Sequence, residues 1–431
     1  MPRRRRIMMI STHGYVSANP EFGKPDTGGQ VVYVLELSRS LARLGYSVDI
    51  LTRRFEGQPR TEEVDQRVRI LRFPCGGVEF IPKERLCDSI PEWVENALSY
   101  LQPKRMRYAF INSHYWDAGL AGQSMAYQLG VPHVHTPHSI GSWKRDNMDG
   151  DHQELERQYN FKKRIREEKC IYDECDAIIA TTPPQRHILA NGAYDVDPAK
   201  TFVVPPGYDD TRFFPVSKGQ KTVLRGELGF ADRIVLAIGR MARNKGYDLL
   251  IQAMPVVFKR LDDVKLLLAP GSQDPDDNER RQIQELKDLA EKLGIADRVI
   301  FRNYITDEEL PDFYRIADVF ALSSRYEPFG MTAVEAMACG TPTVMTTQGG
   351  LSEQIRWGVE GIYADPFDPE CFGHAIYSVL HTPRLAQEIS KYGPRKARAD
   401  FTWIGIAQKI LRLMQDVLEQ KPQTDATEES S

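Results

Sequence analysis

The chain has 431 residues, 41% hydrophobic and 27% charged, with a formal net charge of −4 at pH 7. That length suits two or three domains of ~150 residues each, and the composition is that of a globular protein rather than a disordered or fibrous one. The charge balance gives no general case for nucleic acid, and no apolar run approaches the ~20 residues of a membrane span.

The opening MPRRRRIMMIS starts basic. Its apolar part is shorter than the ~7 residues of a secretory h-region and no small-residue cleavage site follows, so residues 3–6 read as a solvated lead-in to a first strand at 7–10. Next comes GKPDTGGQ, residues 23–30, with Gly23 and Gly28 spaced as in a P-loop. A P-loop needs Lys and then Ser or Thr directly after the second glycine, to reach phosphates and magnesium. Here Gly29 and Gln30 stand there, and the lone Lys24 is on the wrong side, so the glycines need another explanation.

Apolar residues at Val34, Leu37, Leu41 and Leu44 then recur at helical spacing until Gly45, before a strand at 47–51. Further strands are expected at 68–71, 109–112, 132–135, 177–180 and 202–204. The alternation restarts at 233–238 and runs through 265–268, 299–301, 319–322, 343–345 and 361–363. Helices fall between them at 279–293 and at 306–316, the latter opened by a capping box from Thr306 to Glu309.

The fold class is therefore α/β: two successive units of parallel sheet wrapped by helices. Their joint is expected at PPGYD, residues 205–209, giving units 1–208 and 209–402, with a helix at 403–420 completing the first unit and a polar, disordered tail at 421–431. Ligands of open parallel sheets sit at strand carboxyl ends, so two such units facing each other would hold a site in the cleft between them. Six cysteines (Cys75, Cys87, Cys170, Cys175, Cys339, Cys371) without C-x-x-C pairs point to reduced thiols in a cytosol.

The stretch EPFGMTAVE begins at Glu327 after a strand and ends at Glu335, on a helix that Gly330 opens. A glycine at a helix start lets amides approach a phosphate, whose charge the helix dipole favours. The two carboxylates would then reach different hydroxyls of one ligand, although an ordinary helix with a solvated glutamate at each end has the same spacing. In GRMARNKG, Arg240 and Lys245 follow a strand end, where two cations can neutralise a departing diphosphate without a metal; a charged surface loop is the bland reading.

HVHTPH spaces His133, His135 and His138 so as to invite zinc, but no cysteine or carboxylate completes a set nearby, and a structural role for His133 and His135 is favoured. The D-x-D of Asp149 and Asp151 lies in a polar stretch with no strand before it and reads as a loop.

Together, the E-x7-E stretch, Arg240, Lys245 and Gly28-Gly29-Gln30 resemble the retaining GT-B glycosyltransferases, in the family's motif order over about residues 7–417. PDTGGQVVYVLELSRSLARLG, IPKERLCDSI, SHYWDAGLAG, HTPHSIGSWKRD and YNFKKRIREE narrow the likeness to the sucrose-phosphate and mannosylfructose-phosphate synthases. The resemblance implies a nucleotide-sugar-binding second unit and an acceptor-binding first unit, both Rossmann-like. Glu335 would hold the nucleotide ribose and Glu327 a hydroxyl of the donor sugar. Phe329, Gly330, Met331 and Thr332 would support sugar and phosphates through backbone groups, and Arg240 and Lys245 would hold the diphosphate. Gly29 and Gln30 would lie against donor phosphate and acceptor, and His138 beside the reacting sugar.

Lys83, Lys144, Lys163 and Arg164 fall where that pattern places cations for an acceptor phosphate, although Lys162-Lys163-Arg164 also reads as the wet side of a helix. The expected reaction moves a hexosyl group to the 2-hydroxyl of fructose 6-phosphate with retention. No carboxylate is posed as a covalent nucleophile, so attack is expected on the front face, with the leaving diphosphate taking the acceptor's proton and closure of the units excluding water.

GRMARNKG departs from the proline-bearing loop of many sucrose-phosphate synthases. On overall likeness rather than any base-reading residue, GDP-mannose is preferred to UDP-glucose as donor. No cofactor is expected to be required, with Mg2+ at most a stimulant. The expected partners are the donor, a sugar-phosphate acceptor and a downstream sugar-phosphate phosphatase. The rivals are a nucleotide-sugar epimerase, a phosphorylase and a non-catalytic nucleotide-sugar-binding regulator.

Overall fold

The computed structural model describes residues 6–20, 26–148, 151–302 and 304–420. The expectations for Arg3, Gly23, Lys24, Asp149 and the tail after Gln420 lie outside these residues.

In the first unit β1 (Arg6–Ile10), β2 (Ser47–Arg54), β3 (Thr61–Glu63), β4 (Val68–Pro74), β5 (Ile111–His114), β6 (His133–Thr136), β7 (Ala177–Ala180) and β8 (Thr201–Val203) form one sheet. Their order is β3-β4-β2-β1-β5-β6-β7-β8, parallel except for the antiparallel edge strand β3. The chain builds outward from β1 to β4, then starts the other half at β5, so the sheet reverses direction between β1 and β5. Ligands of such sheets bind at that reversal, beyond the strand carboxyl ends.

The near-continuous apolar runs follow from burial on both faces. Ile7, Met9, Val48, Ile50, Val68 and Ile70 enter one core with the helix Gly29–Arg43, while Met8, Ile10, Leu51 and Leu71 enter the opposite one with helices Ile90–Leu101 and Trp116–Leu129. The helix Trp403–Gln420 joins the first core through Trp403, Ile406, Ala407, Ile410, Leu413, Met414 and Val417, a stripe of helical period. Trp403 meets Tyr33 edge-on, with ring centroids 5.2 Å apart.

The second unit carries β9 (Arg233–Gly239), β10 (Val264–Pro270), β11 (Val299–Phe301), β12 (Val319–Leu322), β13 (Thr343–Thr346) and β14 (Ile362–Ala364). Their order is β11-β10-β9-β12-β13-β14, all parallel, with the reversal between β9 and β12.

Four differences from the sequence reading have local causes. The break between units falls after Pro205, not after residue 208. Tyr208 bridges Thr402, and its N–H donates to the Phe401 carbonyl at 2.8 Å, which ties it to the second unit. β5 runs to His114 because its polar residues find partners inside the sheet: Thr136 Oγ1 donates to Asn112 Oδ1, and Ser113 bonds to two histidines. The Thr306–Glu309 box closes a turn, and the helix proper is Leu310–Ile316, with Pro311 in its first turn where no N–H is needed. The edge strand β3, three polar residues, has no apolar alternation to betray it.

Candidate functional site

In the second unit the candidate residues gather at the β9/β12 reversal. Gly246, at φ +65°, ends the turn Arg243–Lys245, and a Cβ there would fall 2.1 Å from the Ser323 carbonyl oxygen. Only glycine lets this loop lie against the end of β12, where Ser323 Oγ also donates to Gly246 O at 2.9 Å. Lys245 is thereby presented to Glu327: Nζ donates to Oε2 at 2.7 Å, and Ser324 Oγ donates to the same oxygen at 3.0 Å. The Glu327 N–H is fixed by the Gln348 carbonyl at 3.0 Å.

Gly330, at φ +107°, turns the chain into the helix Met331–Ala338, with Phe329 buried behind it against Phe401. The Ala333 and Val334 amides return to the Gly330 carbonyl, so the N–H groups of Met331 and Thr332 lead out of the helix's positive end. Glu335 is the fifth residue of that helix, and Tyr314 Oη donates to its Oε2 at 2.9 Å. Burial pushes the Glu335 carboxyl up to about 7, against the downward pull of the Tyr314 hydrogen bond and of Arg212. Arg240 is exposed just past Gly239, within electrostatic reach of the buried Tyr247 hydroxyl. Thus Glu327 and Lys245 form one tight pair, and Glu335 occupies a separate carboxylate site.

In the first unit, the residues beyond β1 and β5 converge. Gln30 Nε2 donates to Ser11 Oγ at 3.1 Å and to the His114 carbonyl at 3.2 Å, bridging the two strand ends. A Cβ on Gly28 or Gly29 would meet no atom within 4 Å, so the chain's own packing does not require these glycines. His138, at φ +57°, shares a hydrogen bond with His114 (Nε2 to Nδ1, 2.9 Å), and burial pushes its imidazole down to about 3. His133 Nε2 and His135 Nδ1 both bond to Ser113 Oγ, at 2.7 and 2.8 Å. Among the described residues, no three His, Cys, Asp or Glu side chains are grouped to hold a metal ion.

Of the four expected phosphate cations, three act on one another. Lys144 Nζ lies over the Tyr159 ring at 4.0 Å, and burial, then Arg164 and Lys83, push its ammonium down to about 8. Lys83 is paired with Asp26. Arg164, 2% exposed, donates to Glu168 Oε1 at 2.7 Å, Tyr115 Oη at 3.0 Å and the Ser139 carbonyl at 2.8 Å. Lys163 does not join them. Successive helical residues point about 100° apart, so on the helix Phe161–Glu174 Arg164 faces in and Lys163 turns out to Asp88.

Sequence reasoning missed Tyr115, Glu168, Ser324, Tyr314 and the buried pair His13–Asp117. Tyr115 has φ +75° and ψ 164°, a region that essentially only glycine visits and that costs a bulky residue of order 1–3 kcal/mol. Only the positive charge of Arg164 and, for His13, Tyr115 and Ser324, a position just past a strand end hinted at them, while Glu168 and Tyr314 lie within helices.

Comparison with known proteins identifies the family. Residues 27–212 match the family described as Glycosyltransferase Family 4, and residues 221–396 match Glycosyl transferases group 1. The chain is 51% identical over 414 residues to the mannosylfructose-phosphate synthase of Agrobacterium fabrum, covering 95% of this chain and 91% of that one. It is 33% identical over 418 residues to a D-inositol 3-phosphate glycosyltransferase of Corynebacterium jeikeium, covering 96% and 97%. The solved sucrose-phosphate synthase of Thermosynechococcus elongatus superposes with a TM-score of 0.80 at 31% identity, covering 97% of this chain and all of that one.

Proposed function

The chain belongs to the GT-B glycosyltransferases, and from that premise we propose that it transfers mannose from GDP-mannose to the 2-hydroxyl of fructose 6-phosphate, with retention, giving mannosylfructose phosphate. The observation that carries this reading is the 51% identity to a mannosylfructose-phosphate synthase over nearly the whole chain. The grouping of Lys83, Lys144 and Arg164 supports an acceptor that bears a phosphate. The likeness to sucrose-phosphate synthase favours a second reading of the same chemistry, with UDP-glucose as donor.

In this proposal the second unit holds the donor. Glu335 accepts from the ribose hydroxyls, Glu327 from a hexose hydroxyl, and the amides of the Phe329-to-Thr332 segment meet sugar and phosphates. The bond from the anomeric carbon to the β-phosphate oxygen breaks, and the acceptor's 2-oxygen bonds to that carbon on the same face. The acceptor proton passes to the departing phosphate oxygen. Arg240 and Lys245 balance the charge gathering on the diphosphate, which is the part a metal plays elsewhere. No metal is therefore required, and EDTA leaves turnover largely unchanged.

His138, neutral because of its burial, serves as a hydrogen-bonding group beside the donor sugar rather than as a cation. Gly29 and Gln30 line the acceptor side. The product keeps its phosphate, so a sugar-phosphate phosphatase is the class of enzyme that consumes it. The test is purified protein with fructose 6-phosphate and a panel of GDP- and UDP-sugars, products assigned by mass spectrometry and NMR. Release of nucleoside diphosphate with no disaccharide phosphate from any pair rejects the reading.

A further inference from the structure

The two loops that carry Lys245 and Glu327 are also joined by a second ion pair, to which the transfer described above gives no part. Arg325 lies two residues before Glu327, in the turn that follows β12, and Asp248 lies three residues after Lys245, in the first turn of the helix Tyr247–Phe258. The guanidinium meets the carboxylate as a fork, Nη1 donating to Oδ1 at 2.7 Å and Nη2 to Oδ2 at 2.5 Å. Nη1 also donates to the Arg243 carbonyl at 3.0 Å, and the Arg325 N–H to the Asn244 carbonyl at 2.8 Å. Against the upward push of partial burial, Arg325 and the amides of Asp248 and Leu249 hold the Asp248 carboxyl below its usual range, so both partners are charged near neutral pH.

The turn Arg243–Lys245 gains nothing from core packing: none of its three residues is buried, and Arg243 and Asn244 are exposed. Beside the bonds from Arg325, it is tied by the Ser323 hydroxyl, which donates to the carbonyls of Lys245 and Gly246 at 3.3 and 2.9 Å. Glu327 is held separately, by the Gln348 carbonyl and by Ser324. Breaking the fork therefore loosens the loop of Lys245 and leaves Glu327 in place. A lysine at 325 would supply the charge but not the planar fork.

We propose that Asp248 and Arg325 are positioning residues for the transfer, their fork fixing the turn that carries Lys245 so that its ammonium meets the departing diphosphate from an already ordered loop. The pair acts through Lys245 and not by contact with the reacting atoms. The proposal rests on the glycosyl-transfer reading above and on the place it gives Lys245.

The experiment compares steady-state kinetics and melting temperature of the full chain with those of Asp248→Asn, Arg325→Lys, the double variant, and Asp248→Asn combined with Lys245→Ala. Each single variant lowers kcat/KM for the donor roughly tenfold and leaves the acceptor KM within about twofold. Melting temperatures stay within about 4 °C of wild type, as suits a partly exposed pair. The double variant is no worse than the poorer single one. In the chain that already lacks Lys245, Asp248→Asn has almost no further effect, which a general loosening of the fold does not produce.

A donor kcat/KM within twofold of wild type in both single variants, or the same tenfold loss in the chain without Lys245, overturns the proposal. Should Asp248→Asn melt far below wild type, Arg325→Lys, which keeps the charge, carries the same comparison. If the wild-type chain uses another donor or acceptor, the substrate reading fails alone and the variants are compared on that pair. If it transfers nothing, calorimetry with GDP and UDP decides. Affinity that falls several-fold in Asp248→Asn only while Lys245 is present upholds the proposal, unchanged affinity overturns it, and a chain that binds neither diphosphate sinks both readings.

Discussion

Tyr314 Oη donates to Glu335 Oε2 at 2.9 Å, joining a fully buried phenol to a carboxylate that burial has pushed up to about 7. The phenol stabilises the ionised form, which is the form able to accept from two ribose hydroxyls. Tyr314→Phe keeps the ring packed against Phe213 and Phe320 and removes only this donor. Donor KM at pH 7 rises several-fold, and the pH at which donor binding improves moves upward; a pH series of donor KM checks both. Because the folded carboxyl titrates above its ordinary 4.5, the native state holds the extra proton between about 4.5 and 7. Glu335 therefore makes stability fall as pH rises through that window. Glu335→Gln removes this slope, visible as a melting temperature that gains on wild type from pH 5 to pH 8.

Lys245 and Glu327 are joined at 2.7 Å, and the proposed transfer asks each for a different contact. Lys245→Ala withdraws charge from the departing diphosphate, and Glu327→Ala a hydrogen bond from the hexose. Each lowers kcat/KM by roughly 10²-fold or more while far-ultraviolet circular dichroism stays that of the wild type. Near-normal turnover in both variants removes this cluster from the reaction.

Neighbours in sequence, Lys163 and Arg164, give opposite results on substitution. Lys163→Ala loses an exposed pair with Asp88 and changes acceptor KM and melting temperature little. Arg164→Ala leaves Glu168, with no exposed side-chain surface, facing Tyr194 and the Gly141 amide without its cation. That costs about 3–5 kcal/mol, and the acceptor KM climbs even where folding survives at low temperature. Thermal melts and acceptor kinetics of the two variants separate the outward lysine from the inward arginine.

The contrast shows what could be read from the sequence. The two sheets were legible because apolar runs buried on both faces leave a near-continuous signal, as in the Ile234–Ile238 part of β9. The Gly330 helix start and the GRMARNKG loop were legible because a glycine opens the one and a strand end precedes the other, and the structure puts Gly330 and Gly246 at positive φ. Lys163 and Arg164 were indistinguishable as letters, since which face of a helix turns inward depends on what packs there. His13, Asp117 and Tyr115 gave no periodic signal at all, and their meaning comes from the order in which strands join: residues 13 and 117 meet only because β1 and β5 are neighbours.

Lys144 supplies a pH test with two opposed readouts. Burial and the nearby Arg164 and Lys83 hold its ammonium at about 8 instead of 10.5, so in the free enzyme it loses its charge as pH climbs past 8. An acceptor phosphate is a dianion above about pH 6 and needs that charge, so kcat/KM for the acceptor declines on the alkaline side with a midpoint near 8. Stability runs the other way. Between about 8 and 10.5 the unfolded chain holds a proton that the folded chain has released, so Lys144 makes unfolding harder as pH rises. Lys144→Met abolishes both slopes together: its acceptor kcat/KM is low but flat across pH 8, and its chemical-denaturation midpoint loses the alkaline gain. A wild-type acceptor profile that stays level to pH 9.5, with the stability gain still present, would place Lys144 in the fold and remove it from the phosphate.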